Sequence, residues 1–157
     1  MAIFAYTDGS SLGNPGPGGF GCILLETEKK VKKELYQGFR LTTNNRMELL
    51  AVITALESLK FTNTEITIVT DSKYVVDAVE KRWVFGWVQK NFKGKKNADL
   101  WRRFLDVYKI HRVKFQWIKG HAGHHWNEEA DKLAVKAAND SANFKIDSYF
   151  EIHQNEE

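Results

Sequence analysis

Three aspartates and one glutamate are the residues of this chain best suited to chemistry. Asp8 closes an apolar run, Ile3-Phe4-Ala5-Tyr6-Thr7, and Gly9-Ser10 follow it. Asp71 closes a second run, Ile66-Thr67-Ile68-Val69-Thr70, and Ser72 follows it. Glu48 lies in a helix-like segment that is otherwise apolar, and Asp131 opens the last predicted helix, ten residues after His121. A carboxylate in apolar surroundings is costly unless it is protonated, paired or bound to a metal. Two such charges about 4 Å apart repel by roughly 1 kcal/mol even in water, and by more inside protein. If the four converge, divalent cations are the natural way to hold them together.

Asp8 and Asp71 share a local pattern: a strand-like run, then Thr-Asp, then Gly-Ser or Ser. In open α/β sheets, sites form beyond the carboxyl ends of parallel strands. An aspartate in such a place also starts turns and caps helices, and it is the pairing, with Glu48 nearby, that favours a site. Asp131 taken alone reads as an early-helix acid favoured by the helix dipole, beside Glu128 and Glu129. His121 sits on the small-residue stretch Gly120-His121-Ala122-Gly123. That suits proton transfer or product release, and equally a solvent-exposed loop histidine. His111, His121, His124 and His125 have neither the spacing nor the cysteine partners of a zinc site. Gly16-Pro17-Gly18-Gly19-Phe20-Gly21 spells GxGxxG but leads into a strand, so no helix N-terminus is there to meet a pyrophosphate.

Hydrophobic periodicity supplies the scaffold. Strands are predicted over 2–7, 20–26 and 31–40, with a Gly/Pro turn over 13–19, as a meander of three antiparallel strands. A helix capped within Thr42-Thr43-Asn44 runs to about residue 60. It is apolar almost all the way round, the mark of a buried central helix. A strand over 65–70, a helix over 72–81, a short helix over 82–90, a polar basic loop over 91–96, a helix over 98–111, a strand over 113–118 and a helix over 126–139 follow. The order βββαβα(α)αβα predicts an α/β fold: a mixed five-stranded sheet, three strands antiparallel and two parallel, flanked by helices on both faces.

The chain has 157 residues, enough for one domain with a real core. Its 43% apolar and 27% charged residues are ordinary for a globular protein. The single cysteine, Cys22, excludes an internal disulfide and is read as a core strand residue. No run approaches the length of a membrane span, and the N-terminus lacks a basic leader, so a cytoplasmic setting is expected. The net charge is only +3, yet residues 81–103 hold eight Lys/Arg and one acid, which leaves the rest of the chain net acidic. Trp83, Phe85, Trp87, Phe92 and Trp101 interleave with those cations. Cations neutralise phosphates and rings pack on sugars or bases, so this stretch suits a nucleic-acid contact; it also suits amphipathic helices with Trp in the core. The lysines of the loop, Lys93, Lys95 and Lys96, are the strongest contact candidates.

At Thr7-Asp8-Gly9-Ser10, Gly13-Asn14-Pro15-Gly16-Pro17-Gly18-Gly19, Thr42-Thr43-Asn44-Asn45-Arg46-Met47-Glu48, Thr70-Asp71-Ser72 and Lys119-Gly120-His121-Ala122-Gly123-His124, with Asn127-Glu128 and Ala130-Asp131 after it, the chain closely resembles the type I ribonucleases H. The resemblance covers nearly the whole chain in order. It implies a ribonuclease H-like fold, with a catalytic domain over 1–142, a basic handle region near 81–103 and a polar C-terminal tail over 143–157. It implies an endonuclease that hydrolyses the RNA strand of RNA/DNA hybrids, leaving 5′-phosphate and 3′-hydroxyl ends. Asp8, Glu48, Asp71 and Asp131 then hold two Mg²⁺ ions with substrate, Mn²⁺ also suiting such ligands, and His121 assists proton transfer or product release. By the same likeness Ser11, Asn14, Asn44, Asn45, Ser72 and Lys73 face the minor groove and the 2′-hydroxyls, and Thr43 a DNA phosphate. Trp83, Trp87, Asn97 and Trp101 match the channel for the DNA strand. Phe92 and residues 93–96 resemble a shortened basic handle. A monomer with no obligate protein partner is expected. His125-Trp126 departs from the family's proline-containing pair, and Glu129 stands where the family has Arg. The rival readings are a nuclease of the same superfamily acting on DNA and a non-catalytic hybrid-binding module.

Overall fold

Strand β1 (Ile3–Ser11) is the centre on which every other element is placed. It pairs antiparallel with β2 (Gly16–Glu26), which pairs antiparallel with β3 (Val31–Thr42). On its other side β1 pairs parallel with β4 (Glu65–Thr70), and β4 pairs parallel with β5 (Arg112–Trp117). The sheet order is β3-β2-β1-β4-β5, the mixed five-stranded sheet that the sequence predicts. This computed structural model describes residues 2–120 and 123–154.

The first two strands are longer than their apolar runs. Asp8 therefore lies inside β1, paired with Gly21, and does not end it. The predicted turn over 13–19 is shorter, because Gly16 to Gly19 already belong to β2. The reason is packing. Helix α5 (His125–Asn139) lies on Gly19 and Gly21, while Gly18 faces Thr42 and Met47 on the other side. A Cβ on Gly19 would stand 2.7 Å from the Ala138 nitrogen, and one on Gly21 would stand 2.8 Å from the Ala134 nitrogen. Neighbouring strands supply the hydrogen bonds, so the poor strand propensity of glycine is overridden by the close approach it permits.

Helix α1 (Asn44–Glu57) covers the opposite face. Thr43 caps it, its hydroxyl accepting from the Arg46 nitrogen at 3.2 Å. Ten of its residues, from Arg46 to Leu56, are buried, as expected of a central helix. Helices α2 (Lys73–Glu80), α3 (Trp83–Gln89) and α4 (Ala98–Tyr108) follow, and Trp101 and Phe104 of α4 are fully buried in the core with α1. None of the described helices is long and apolar enough to cross a membrane.

Residues 141–154 are built into the fold. The Lys145 nitrogen donates to the Gly38 carbonyl at 3.0 Å, and its carbonyl accepts from the Arg40 nitrogen at 3.1 Å. A short helix, α6 (Ser148–His153), is capped by Asp147 and buries Phe150. Asp147 also receives the buried Arg46. The polar composition that reads as a tail conceals one acid with a buried partner and one aromatic anchor.

Candidate active site

Strand direction brings the first two aspartates together. β1 and β4 run parallel and pair through Tyr6 and Val69, so Asp8 and Asp71 lie just beyond the last shared pair on the same edge. Side chains alternate along a strand, and a Cβ on Gly9 would point at α1, so Asp8 points to the face of α5. Glu48, in the second turn of α1, reaches round the strand. Its Oε1 accepts from the Gly9 nitrogen at 2.8 Å. One oxygen each from Asp8, Glu48 and Asp71 lie within 4.8 Å of one another. Asp131 lines the same cleft. It sits in the second turn of α5, not at the opening of the last helix, held there by the close packing of Ala130 and Ala134 on β2.

The electrostatics of this cluster are unfavourable without a cation. Burial pushes both Asp8 and Glu48 above the usual carboxylate range; for Asp8 the nearby Glu48 adds to it, and for Glu48 the charges of Asp71 and Asp131 do. Glu48 Oε2 is buried and meets no donor among the described residues. A buried oxygen without a donor, beside two more carboxylates, fits a hard divalent cation. Asp8, Glu48, Asp71 and Asp131 are the residues that would hold it.

A small space of about 20 Å³ between Asp8, Asp71 and Asp131 is also lined by His124, Asn127 and Gly120. Asn127 lies one helical turn before Asp131, its Nδ2 3.5 Å from the Val69 carbonyl and its Oδ1 buried without a partner among the described residues. The i, i+4 spacing from Asp131 was the available sequence signal for it. Gly120 presses on Asp71: a Cβ there would stand 2.7 Å from Asp71 Oδ2. His121 lies outside the described residues.

The predicted nucleic-acid contacts divide into two groups. Asn44, Asn45, Ser72 and Lys73 line the acidic cleft. Asn14 Oδ1 accepts from the Asn44 nitrogen at 3.0 Å, Ser11 Oγ donates to the Gly13 carbonyl at 2.6 Å, and Thr43 and Ser72 cap α1 and α2. Lys73, Trp83, Trp87, Lys95 and Lys96 line an adjoining groove, with Lys93 exposed beside it. Trp101, Phe92 and Asn97 are the corrections. Trp101 is 0% exposed, Phe92 4% and Asn97 5%, so none offers a surface to a ligand. Trp101 and Asn97 instead stand behind Tyr74 and Trp87, which line the groove. Trp101 Nε1 and Asn97 Nδ2 each donate to the Tyr74 hydroxyl at 2.9 Å, and the Trp87 ring stands edge-on to Trp101 at 5.9 Å. Left-handed Asn91, Phe92, Gly94 and Asn97 turn the short loop that tucks Phe92 inside and leaves its lysines outside.

Convergent carboxylates at the edge of a mixed sheet, beside a groove rimmed by cations and rings, define a nuclease-type hydrolase centre. A model of the RNase H family matches residues 1–139, and the chain belongs to that family. A ribonuclease H of Desulforamulus reducens is 52% identical over 141 residues, 87% of each chain. One of Rippkaea orientalis is 46% identical over 154 residues, 95% of this chain and 92% of that one. Among solved structures, LC9-RNase H1, described as a type 1 RNase H with the type 2 active-site motif, superposes with a TM-score of 0.79 at 35% identity, over 97% of this chain and 80% of that one. LC11-RNase H1, solved in complex with an RNA/DNA hybrid, superposes with a TM-score of 0.68 at 25% identity, over 90% of this chain and 99% of that one.

Proposed function

We propose that this ribonuclease H cuts the RNA strand of RNA/DNA hybrids endonucleolytically by a two-metal-ion hydrolysis, leaving 5′-phosphate and 3′-hydroxyl ends. The observation that carries the reading is the meeting of one oxygen each from Asp8, Glu48 and Asp71 within 4.8 Å, with Glu48 Oε2 lacking a donor among the described residues. Divalent cations held there by Asp8, Glu48, Asp71 and Asp131, Mg²⁺ with Mn²⁺ also suited, would supply Lewis acidity toward the scissile phosphate and a lowered pKa for the attacking water. The residues' own work is positional. Gly9 N–H fixes Glu48, α5 fixes Asp131, and the parallel pair β1 and β4 fixes Asp8 against Asp71. Asn44, Asn45 and Ser72 present polar groups at the cleft, where a ribose 2′-hydroxyl distinguishes RNA from DNA. The groove of Trp83, Trp87, Lys95 and Lys96 takes the DNA strand. The complex of LC11-RNase H1 with a hybrid supports this substrate class.

The test compares labelled hybrid, duplex DNA and duplex RNA, with Mg²⁺ and with EDTA. The expected result is cleavage of the RNA strand of the hybrid alone, lost in EDTA and lost in Asp8→Asn and Asp71→Asn while both variants stay folded. Comparable cutting of duplex DNA, or near-normal turnover by either variant, overturns the reading.

A further inference from the structure

Among the described residues lining the acidic cleft, Lys73 is the one cation. It shares that lining with Asp8, Glu48, Asp71 and Asp131, yet it joins no ion pair among the described residues. It stands instead 4.9 Å from the centre of the Trp117 ring. Trp117 is the last residue of β5 and is 43% exposed. The edge of its indole is also engaged: Nε1 donates to the main-chain carbonyl of Asp71 at 3.1 Å. One aromatic side chain thus grips the backbone of a cleft carboxylate by its edge and an ammonium by its face. The two gripped residues are two positions apart in sequence, at the turn from β4 into α2.

This arrangement has a chemical consequence. An ammonium locked to Asp8 or Asp71 would compete with cations for the carboxylates and be neutralised toward a polyanion. Held against a ring at the rim, it keeps its charge for an incoming phosphate while leaving the carboxylates open. A ring face holds a cation without neutralising it. We propose that Trp117 is a positioning residue for substrate binding: it holds Lys73 at the rim of the cleft beside Asp71, where the ammonium takes a backbone phosphate flanking the one being cut. The inference rests on the hybrid-nuclease reading above.

The test is a double-mutant cycle on the full chain. Wild type, Lys73→Ala, Trp117→Ala and the double variant are measured for KM and kcat on a hybrid, and for hybrid affinity against salt by fluorescence anisotropy. Lys73→Ala is expected to raise KM several-fold and to reduce the salt slope by about one phosphate contact. Trp117→Ala is expected to raise KM about 2–5-fold, the fold-change of an exposed cation–π contact. The double variant is expected to bind no worse than Lys73→Ala alone. Trp117→Phe keeps a ring face and loses the N–H, so KM and salt slope stay near wild type. Effects that multiply independently overturn the proposal, since Trp117 then touches the substrate itself. So does Trp117→Phe behaving as Trp117→Ala, or Lys73→Ala without effect on KM or slope. If Trp117→Ala lowers Tm, the cycle is closed with Trp117→Leu, chosen for matched Tm, under the same criteria. A wild type that neither cuts nor binds hybrid defeats the functional reading instead, and that arm is read before the variants.

Discussion

Arg46 and Asp147 lie 101 positions apart in the chain and meet as a two-pronged ion pair, Nε to Oδ2 at 2.7 Å and Nη2 to Oδ1 at 2.9 Å. The other side of the same guanidinium takes Asp99 in a second fork, at 2.8 and 2.7 Å. Arg46 is only 2% exposed. It ties the start of α1, the start of α4 and the C-terminal segment to one point, two residues from Glu48. Breaking a buried pair by deleting one partner leaves uncompensated charge and typically costs about 3–5 kcal/mol. Arg46→Ala is therefore expected to lose stability of that order in urea denaturation. A chain ending at residue 144, lacking Asp147 and Phe150, is expected to lose on the order of 3 kcal/mol. Full stability in the truncated chain would show that the segment is mere decoration.

The carboxylate cluster makes stability depend on pH and on metal in opposite senses. Asp8 and Glu48 have folded-state pKa values raised above their ordinary values of 3.8 and 4.5, burial being the main cause. An acid raised on folding binds more protons when folded, so its favourable contribution is complete below the ordinary value and is lost as pH rises toward the folded one. The metal-free protein is expected to lose Tm as pH is raised from about 5 to 8, and saturating Mg²⁺ to restore it. In EDTA, Asp8→Asn is expected to be more stable than wild type by at least about 1 kcal/mol, the scale of one relieved like-charge contact. Thermal melts with and without Mg²⁺ decide it. A Tm independent of pH in EDTA would contradict the raised values.

Much of this was legible in the chain because the relevant signals are local. The apolar run ending in Thr7-Asp8 and the one ending in Thr70-Asp71 give both strand positions and their shared edge, and the all-round apolar pattern after Asn44 gives the central helix. What was not legible depends on distant contacts. Gly16 to Gly19 read as a turn since nothing local reveals that α5 packs where a Gly19 side chain would stand. Trp101 and Phe92 sit among cations in sequence, and only the packing of the folded core shows them to be buried. Asp147 looks like one more tail acid until Arg46 is seen beneath it. Trp117 carried no signal, because its two partners, Asp71 and Lys73, come from the distant turn between β4 and α2.

Two glycines near the carboxylates separate stability from chemistry. A Cβ on Gly9 would meet the backbone of α1, 2.5 Å from the Glu48 nitrogen and 2.8 Å from the Met47 carbonyl carbon. Backbone cannot yield cheaply, so Gly9→Ala is expected to cost about 1–3 kcal/mol, as overpacking does, and to displace Glu48. A Cβ on Gly120 would first meet the Asp71 side chain, Oδ2 at 2.7 Å. Gly120→Ala is expected to keep Tm within about 2 °C, a change of no more than about 1 kcal/mol at this chain length, while kcat falls through the turned Asp71 side chain. Urea melts beside steady-state kinetics separate the two. Equal losses of stability in both variants would refute the distinction.

The handle makes the same separation for binding. Lys93, Lys95 and Lys96 are exposed, and the Lys95 ammonium stands 5.2 Å from the Trp87 ring centre on the groove wall. Replacing the three by Gln removes charge without touching the core. It is expected to raise KM more than it lowers kcat and to flatten the dependence of binding on salt, since fewer counterions are released per complex. Phe92 lies in the same loop but is buried, with the Arg102 guanidinium 4.7 Å from its ring centre. Phe92→Ala is expected to cost about 3–5 kcal/mol, the range for truncating a buried aromatic, and to weaken binding only by loosening the loop. Its salt slope should therefore stay steep while its Tm drops. The triple-lysine variant should show the reverse, and a slope unchanged by removing all three charges would take the handle out of substrate binding.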